Sequence, residues 1–186
     1  MTLVLGGARS GKSEVAERLA GRLSETVTYV ATGPPVDDTP GTGDGSGGDA
    51  DWAARIAAHR QRRPAGWPTV EVLPGSDLAH VIRSLDGVVI VDSLGSWLAG
   101  QREFHADAPV LCAALCDRAG DAVVVTEEVG LGVHPSSETG RLFRDALGAL
   151  NLKVANAADR VLLVIAGRTL ELEATGRPGP SAGWAE

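Results

Sequence analysis

Five short apolar runs, none of which alternates with polar residues, constrain the fold of this chain most. They are rich in β-branched residues, which is typical of strands buried on both faces of a parallel sheet. Stretches with helical periodicity separate the runs, and this alternation implies right-handed crossover connections. The sequence therefore predicts a single α/β domain with a mostly parallel sheet and helices on both faces. The predicted strands cover 2–5, 27–31, 88–91, 122–126 and 160–166, and the predicted helices cover 13–23, 51–62, 76–84, 106–119 and 137–157.

Two segments differ from the rest of the chain in composition. Residues 34–49 are rich in glycine, proline and aspartate and contain a single apolar side chain. Such a segment buries too little apolar surface to offset its ordering entropy, so we expect a flexible polar loop inside a domain that spans 1–173. Residues 174–186 are similar in composition, and we expect a disordered tail there.

The net charge of −7 limits the partners of this protein. A nucleic-acid surface or an anionic membrane would normally require a basic excess, so we expect neither partner. No apolar run is long enough to span a bilayer, and the amino terminus lacks the charged start of a signal peptide. The sequence therefore predicts a cytoplasmic protein in which any anion-binding site is local.

The segment GGARSGKS fits the phosphate-loop pattern GxxxxGK[ST] and lies between a predicted strand and a predicted helix. In such a loop, backbone N–H groups converge on phosphate oxygens while the lysine places a charge near the β- and γ-phosphates. Lys12 is thus a candidate catalytic residue, and Ser13 is a candidate ligand of Mg²⁺. The pattern predicts a site for ATP or GTP with Mg²⁺, formed by Gly6, Gly7, Ala8, Arg9, Ser10, Gly11, Lys12 and Ser13.

Acidic residues follow two of the other predicted strands. Asp92 comes after VVIV, and we expect it to be the second Mg²⁺ ligand and to contribute to nucleotide binding. Glu127 and Glu128 close the strand at 122–126. Binding of Mg²⁺, binding of substrate and a role as general base all stay open for these two, and we include Glu128 among the nucleotide-binding candidates. The segment DSLG resembles a GTPase switch, but the sequence contains no NKxD motif, which disfavours a regulatory GTPase.

The segment RIAAHRQRRP places Arg55, His59 and Arg63 four residues apart, on one face of a predicted helix. Taken alone, this stripe is typical of a solvated helix face. In a protein that binds a nucleoside triphosphate, however, the same stripe fits a nucleophilic histidine between two guanidinium groups that hold phosphates. His59 is therefore a candidate catalytic residue, and the two arginines are candidate nucleotide ligands.

With the phosphate loop, RIAAHRQRRP, VDSLGSWLA and TEEVGLGVHP in this order, the sequence resembles the bifunctional adenosylcobinamide kinase and adenosylcobinamide-phosphate guanylyltransferase family. The resemblance extends from Leu3 to about Leu172. It implies a P-loop fold related to the recombinase ATPases, a homotrimer, and two reactions of cobalamin assembly.

The resemblance also implies the chemistry of the two reactions. A nucleoside triphosphate phosphorylates the aminopropanol hydroxyl of adenosylcobinamide, and GTP then donates GMP to adenosylcobinamide phosphate through a guanylylated histidine. His59 matches that histidine, and Lys12 and Ser13 match the phosphate-loop residues of the family. Two other functions stay open: a P-loop kinase of another small alcohol without a covalent intermediate, and a recombinase-like regulatory ATPase.

Overall fold

A computed structural model describes residues 1–33 and 63–174. In this part of the chain, seven strands form one sheet in the order β3-β2-β4-β5-β1-β6-β7. All neighbouring pairs are parallel except β6 and β7, which are antiparallel. The strands are β1 Thr2–Gly6, β2 Val27–Ala31, β3 Thr69–Glu71, β4 Val88–Asp92, β5 Ala122–Glu127, β6 Arg160–Ile165 and β7 Arg168–Leu172.

Five α-helices accompany the sheet in the described ranges, together with one short 3₁₀ turn at Arg102–Phe104. Four of the helices begin after a Ser or Asp whose side chain accepts a hydrogen bond from the backbone N–H three residues later, the usual N-cap arrangement. The helices are α1 Lys12–Leu23, α2 Leu78–Arg83, α3 Leu94–Ala99, α4 Ala108–Cys116 and α5 Glu138–Ala157.

The sheet carries an apolar core on each face. On one face, α1 packs Val15, Ala16 and Ala20 against side chains from the central strands. On the other face, α2, α3, α4 and α5 cover a larger cluster that includes Leu98, Leu111 and other buried residues. The central strands are therefore buried on both sides, which is why their sequences do not alternate.

This architecture confirms the predicted fold class: one α/β unit with a mostly parallel sheet and helices on both faces. All five predicted strands are present. The sequence analysis missed β3, β7 and α3, which are short, and β7 is exposed throughout. The predicted helix 51–62, the predicted loop 34–49 and residues 175–186 of the predicted tail lie outside the described residues, so these predictions and the extent of the domain stay untested.

The register of the sheet brings three strand ends together at one edge. Gly6 at the end of β1 pairs with Glu127 at the end of β5. Asp92 at the end of β4 lies opposite Val125 of β5 and Ala31 of β2. In parallel sheets, ligands bind at the carboxyl ends of the strands, so this edge is where a site is expected. Within the described ranges, no helix has the length and apolar character needed to cross a membrane.

Candidate active site

The phosphate loop turns from the end of β1 into the first residue of α1. Gly11 precedes the helix with a φ of 91°, a left-handed conformation that favours glycine. Gly6 is required for space, because a Cβ atom there would lie 2.4 Å from the Ser10 hydroxyl and 2.8 Å from the Val164 carbonyl. The loop therefore depends on glycine for its backbone conformation at one position and for close packing at another.

The turn between β6 and β7 packs against the backbone of the phosphate loop and bonds to it. The Gly167 N–H donates a hydrogen bond to the Ser10 carbonyl at 2.8 Å. A Cβ atom at Gly11 would lie 3.4 Å from the Gly167 Cα, so the two backbones are in close contact. The hydroxyl of Ser10 is buried and has no hydrogen-bond partner within the described part of the chain. The turn that leads into β7, the strand that the sequence analysis missed, thus contacts the phosphate loop.

Lys12, the candidate catalytic lysine, is paired with the carboxylate of Glu127. Its Nζ lies 3.5 Å from Glu127 Oε1, and the two side chains are 12% and 29% exposed. Nζ also donates to the Gly7 carbonyl at 3.3 Å. The Ser93 hydroxyl lies 2.9 Å from both oxygens of Glu127, so residues from the ends of β4 and β5 and from the phosphate loop meet at one carboxylate. Glu127 was one of two acidic residues whose roles the sequence left open.

Gly95, in the first turn of α3, makes room for this carboxylate. A Cβ atom at Gly95 would lie 2.0 Å from Glu127 Oε2 and 3.0 Å from its Cδ. The helix begins with Ser93 as its N-cap, and the Ser93 hydroxyl accepts from the Ser96 N–H at 3.2 Å. The segment DSLGS therefore both starts a helix and holds Glu127 in place.

A tyrosine of β2 forms a hydrogen bond with the carboxylate of Asp92. The Tyr29 hydroxyl donates a hydrogen bond to Asp92 Oδ2. Burial of Tyr29 and the nearby charge of Asp92 raise the pKa of the phenol well above its usual range, so the hydroxyl stays protonated and acts as a donor. Asp92 is half-buried at the end of β4.

Arg63, predicted to bind phosphate, lies over the ring of Tyr29. Its guanidinium carbon is 3.3 Å from the ring centroid, which is a cation–π geometry. Its Nη1 donates to the Thr69 hydroxyl at 3.3 Å. This arginine therefore lies next to the tyrosine that holds Asp92.

The other predicted site residues are placed as follows. Glu128 accepts a hydrogen bond from the Gly130 N–H at 2.6 Å, and its own N–H donates to the Gly6 carbonyl at 3.1 Å. The side chain of Glu128 thus takes part in a local turn, whereas Glu127 is the one that contacts Lys12. Exposure differs along the loop: Gly7, Ala8 and Arg9 are exposed, and Ser13 is half-buried. Arg55 and His59 lie outside the described residues.

The donor set at this edge suits Mg²⁺ and no softer metal. Ser13 and Asp92 offer oxygen ligands, and Mg²⁺ in nucleotide sites is commonly held by one or two protein oxygens together with substrate phosphates and water. Among residues 1–33 and 63–174 there is no group of three or more His, Cys, Asp or Glu that would hold a metal without a nucleotide. These residues fit a metal ion that arrives with its nucleotide.

Comparison with known proteins identifies the family. A family model described as CobU, cobinamide kinase / cobinamide phosphate guanyltransferase, matches residues 2–172, from the start of β1 to the end of β7. The chain belongs to this family.

Similar proteins of three bacteria support the assignment. The bifunctional adenosylcobalamin biosynthesis protein CobP of Pseudomonas aeruginosa is 35% identical over 180 residues, which cover 92% of this chain and 96% of the relative. The bifunctional adenosylcobalamin biosynthesis protein CobU of Escherichia coli is 37% identical over 188 residues, 90% of this chain and 96% of the relative. CobU of Salmonella typhimurium is 36% identical over the same shares.

These findings confirm the resemblance stated from the sequence. They also confirm the prediction of a bifunctional transferase of cobalamin biosynthesis, with a cobinamide kinase and a cobinamide phosphate guanylyltransferase activity. The matched residues include the phosphate loop and the strand ends that carry Asp92 and Glu127.

Proposed function

We propose that one nucleotide site, built on Gly6–Ser13, serves both activities of this enzyme. In the first reaction, ATP or GTP phosphorylates the aminopropanol hydroxyl of adenosylcobinamide. In the second, GMP passes from GTP to adenosylcobinamide phosphate. The observation that carries the proposal is the contact of Lys12 with Glu127 and, through it, with Ser93, at the strand edge where the phosphate loop begins.

The Lys12 ammonium is paired with the Glu127 carboxylate. When a triphosphate binds for the kinase step, its phosphates also pair with this ammonium. Lys12 then stabilises the β- and γ-phosphates, as in other phosphate loops. The acceptor hydroxyl oxygen attacks the γ-phosphorus, the bond to the bridging oxygen breaks, and the nucleoside diphosphate leaves. The proton of the hydroxyl passes to the Glu127 carboxylate, which Ser93 holds in place. Mg²⁺ would be held by Ser13 and Asp92 and would neutralise charge on the phosphate oxygens.

In the guanylyl step, we assign the nucleophile to His59, which matches the guanylylated histidine of the family. The histidine nitrogen attacks the α-phosphorus of GTP and pyrophosphate leaves. A phosphate oxygen of adenosylcobinamide phosphate then attacks the same phosphorus, which releases the histidine and gives adenosylcobinamide-GDP. Arg55 and Arg63 would bind the phosphates during attack, and the position of Arg63 over Tyr29 supports a place for it near the strand edge.

Three further properties belong to the same proposal. The family resemblance supports a homotrimer. The net charge of −7 supports the absence of a nucleic-acid partner, and the biosynthetic role supports a cytoplasmic location without stable membrane insertion.

Labelled GTP separates the two reactions. With α-labelled GTP and no corrinoid, the wild-type protein should form a covalent GMP adduct that maps to His59. The variant His59→Asn should form none, yet it should keep substantial transfer of γ-phosphate to adenosylcobinamide, because that step uses no covalent histidine. His80→Asn is the matched control, since His80 is exposed on α2 and should leave both reactions unchanged.

Two outcomes would contradict the proposal. An adduct at the wild-type rate in His59→Asn would place the nucleophile elsewhere, with His80, His105 and His134 as the remaining histidines. A protein that phosphorylates adenosylcobinamide but forms no adduct at all would be a kinase without a covalent intermediate.

A further inference from the structure

The loop between β5 and α5 exposes the two least covered large apolar side chains of the described residues. Leu131 is 79% exposed and Val133 is 96% exposed. A single exposed apolar residue needs no explanation, but two on one short loop beside an active site indicate a contact surface. We call Leu131, Gly132 and Val133 the apolar tip.

Hydrogen bonds hold the loop on both sides of the apolar tip. On the β5 side, Glu128 bonds to Gly6 of the phosphate loop and to Gly130. On the α5 side, Arg141 donates to the carbonyls of Pro135 and Ser136 at 3.2 and 3.0 Å. Arg144 Nη1 lies 2.7 Å from His134 Nδ1, next to the tip. The tip is therefore presented to solvent by an anchored loop, and its exposure is not that of an untethered segment.

The apolar tip follows Glu127 closely in the chain, and four residues span at most roughly 14 Å. It begins four residues after Glu127, the carboxylate that contacts Lys12. The space beside its backbone is open, because a Cβ atom at Gly132 would meet no atom within 4 Å. When the hydroxyl of a large acceptor reaches the phosphate loop, the rest of the acceptor must contact the protein surface around the strand ends. The apolar tip is an apolar part of that surface.

We propose that the apolar tip binds the corrin ring of the acceptor, so that Leu131 and Val133 contact its methyl-bearing apolar periphery. This inference rests on the proposed function, which supplies the corrinoid acceptor. Two side chains form a patch far smaller than the roughly 1,200–2,000 Å² that a stable protein–protein interface buries, which favours a small-molecule occupant over a second copy of the chain. The corrin ring combines a flat apolar body with polar amide arms, which fits two apolar side chains flanked by exposed backbone.

Direct binding measurements test the apolar tip without relying on catalysis. The dissociation constant for adenosylcobinamide is measured by equilibrium dialysis, read by corrin absorbance, for the wild type, Leu131→Ser, Val133→Ser and the double variant. The dissociation constant for a fluorescent GTP analogue and the oligomeric mass are measured on the same samples. Leu152→Ser on α5 and Leu23→Ser at the end of α1 are matched controls, because these leucines are 64% and 51% exposed and no contact of the candidate site involves them.

Loss of one buried leucine or valine contact predicts about a tenfold weaker affinity for the corrinoid in each single variant, and a larger loss in the double variant. Affinity for the GTP analogue, melting temperature and oligomeric mass should match the wild type, and the controls should change nothing. Unchanged corrinoid affinity in the double variant would overturn the inference. So would a change in oligomeric mass in the tip variants, because it would show that the tip contacts a second copy. A wild-type protein that binds the corrinoid but not the GTP analogue would overturn the proposed nucleotide site and leave the corrinoid contact standing.

Discussion

Replacing Gly95 with alanine tests whether the position of the Glu127 carboxylate matters for catalysis. The new methyl group would lie 2.0 Å from Glu127 Oε2, so the carboxylate must move. It is the end of a flexible side chain and can swing away without moving the backbone. The movement would separate it from the Ser93 hydroxyl, now 2.9 Å away, and from the Lys12 ammonium at 3.5 Å.

Two opposing terms set the change in stability. Alanine is favoured over glycine in a helix by up to about 1 kcal/mol. A hydrogen bond to a charged group contributes roughly 1.5–3 kcal/mol, and part of it is lost when the carboxylate moves. The net expectation is a destabilisation of no more than about 0.5–2 kcal/mol, which lowers the melting temperature by roughly 1–8 °C for a chain of this size.

The change in activity should be much larger than the change in stability. If Glu127 accepts the proton of the acceptor hydroxyl, displacing it should lower kcat of the kinase reaction about 100-fold. Formation of the GMP adduct should fall less, because attack on the α-phosphorus does not use this base. Both rates are measured with γ- and α-labelled GTP, and stability is measured by differential scanning fluorimetry.

Gly148→Ala is the matched control for Gly95→Ala. Gly148 lies on α5, and a Cβ atom there would meet nothing within 4 Å. Alanine should therefore stabilise the protein by about 1 kcal/mol and leave both activities unchanged. Kinase turnover near the wild-type value in Gly95→Ala would refute the reasoning, since the reaction would then proceed without the carboxylate in its present position.

Two other predictions concern Asp92 and the cysteines. Tyr29→Phe removes the hydrogen-bond donor to Asp92 and keeps an aromatic ring under Arg63, so the affinity for Mn²⁺ should fall about tenfold. The affinity is measured by electron paramagnetic resonance with a non-hydrolysable GTP analogue. Unchanged affinity would show that the phenol does not position this carboxylate. Cys116 should react with iodoacetamide before Cys112, because Cys116 is exposed whereas burial raises the pKa of the Cys112 thiol and leaves less thiolate at neutral pH. Peptide mapping after brief alkylation gives the order, and faster labelling of Cys112 would contradict it.

Sequence reasoning found the features that depend on local pattern. The central strands are buried on both faces, so their apolar runs stand out, and the glycines of the phosphate loop lie at fixed spacing. The same reasoning missed β7, whose residues are all exposed. A signal was available there, because TLEL alternates in polarity and the strand follows Gly167, a residue type favoured in two-residue hairpin turns. In the structure Ala166 and Gly167 both have positive φ, as the residues of such a turn do.

Local sequence patterns could not predict which distant side chains the site residues contact. Tyr29 and Asp92 are 63 positions apart, and Ser93 and Glu127 are 34 apart. Each pair meets only because β4 lies between β2 and β5. The choice between Glu127 and Glu128 was open for a related reason. Register pairs Glu127 with Gly6 and brings its carboxylate to Lys12, while the next residue turns into the loop.

The Lys12→Ala variant, assayed in both reactions, tests the central claim that one phosphate loop serves both transfers. If a single site holds the triphosphate, loss of this ammonium should reduce γ-phosphate transfer to adenosylcobinamide and formation of the GMP adduct together, each by roughly 100-fold or more. Its melting temperature should stay near that of the wild type, since the Lys12 side chain contacts only Gly7 and Glu127 among its described partners. A variant that loses one reaction and keeps near-normal turnover in the other would contradict the single site.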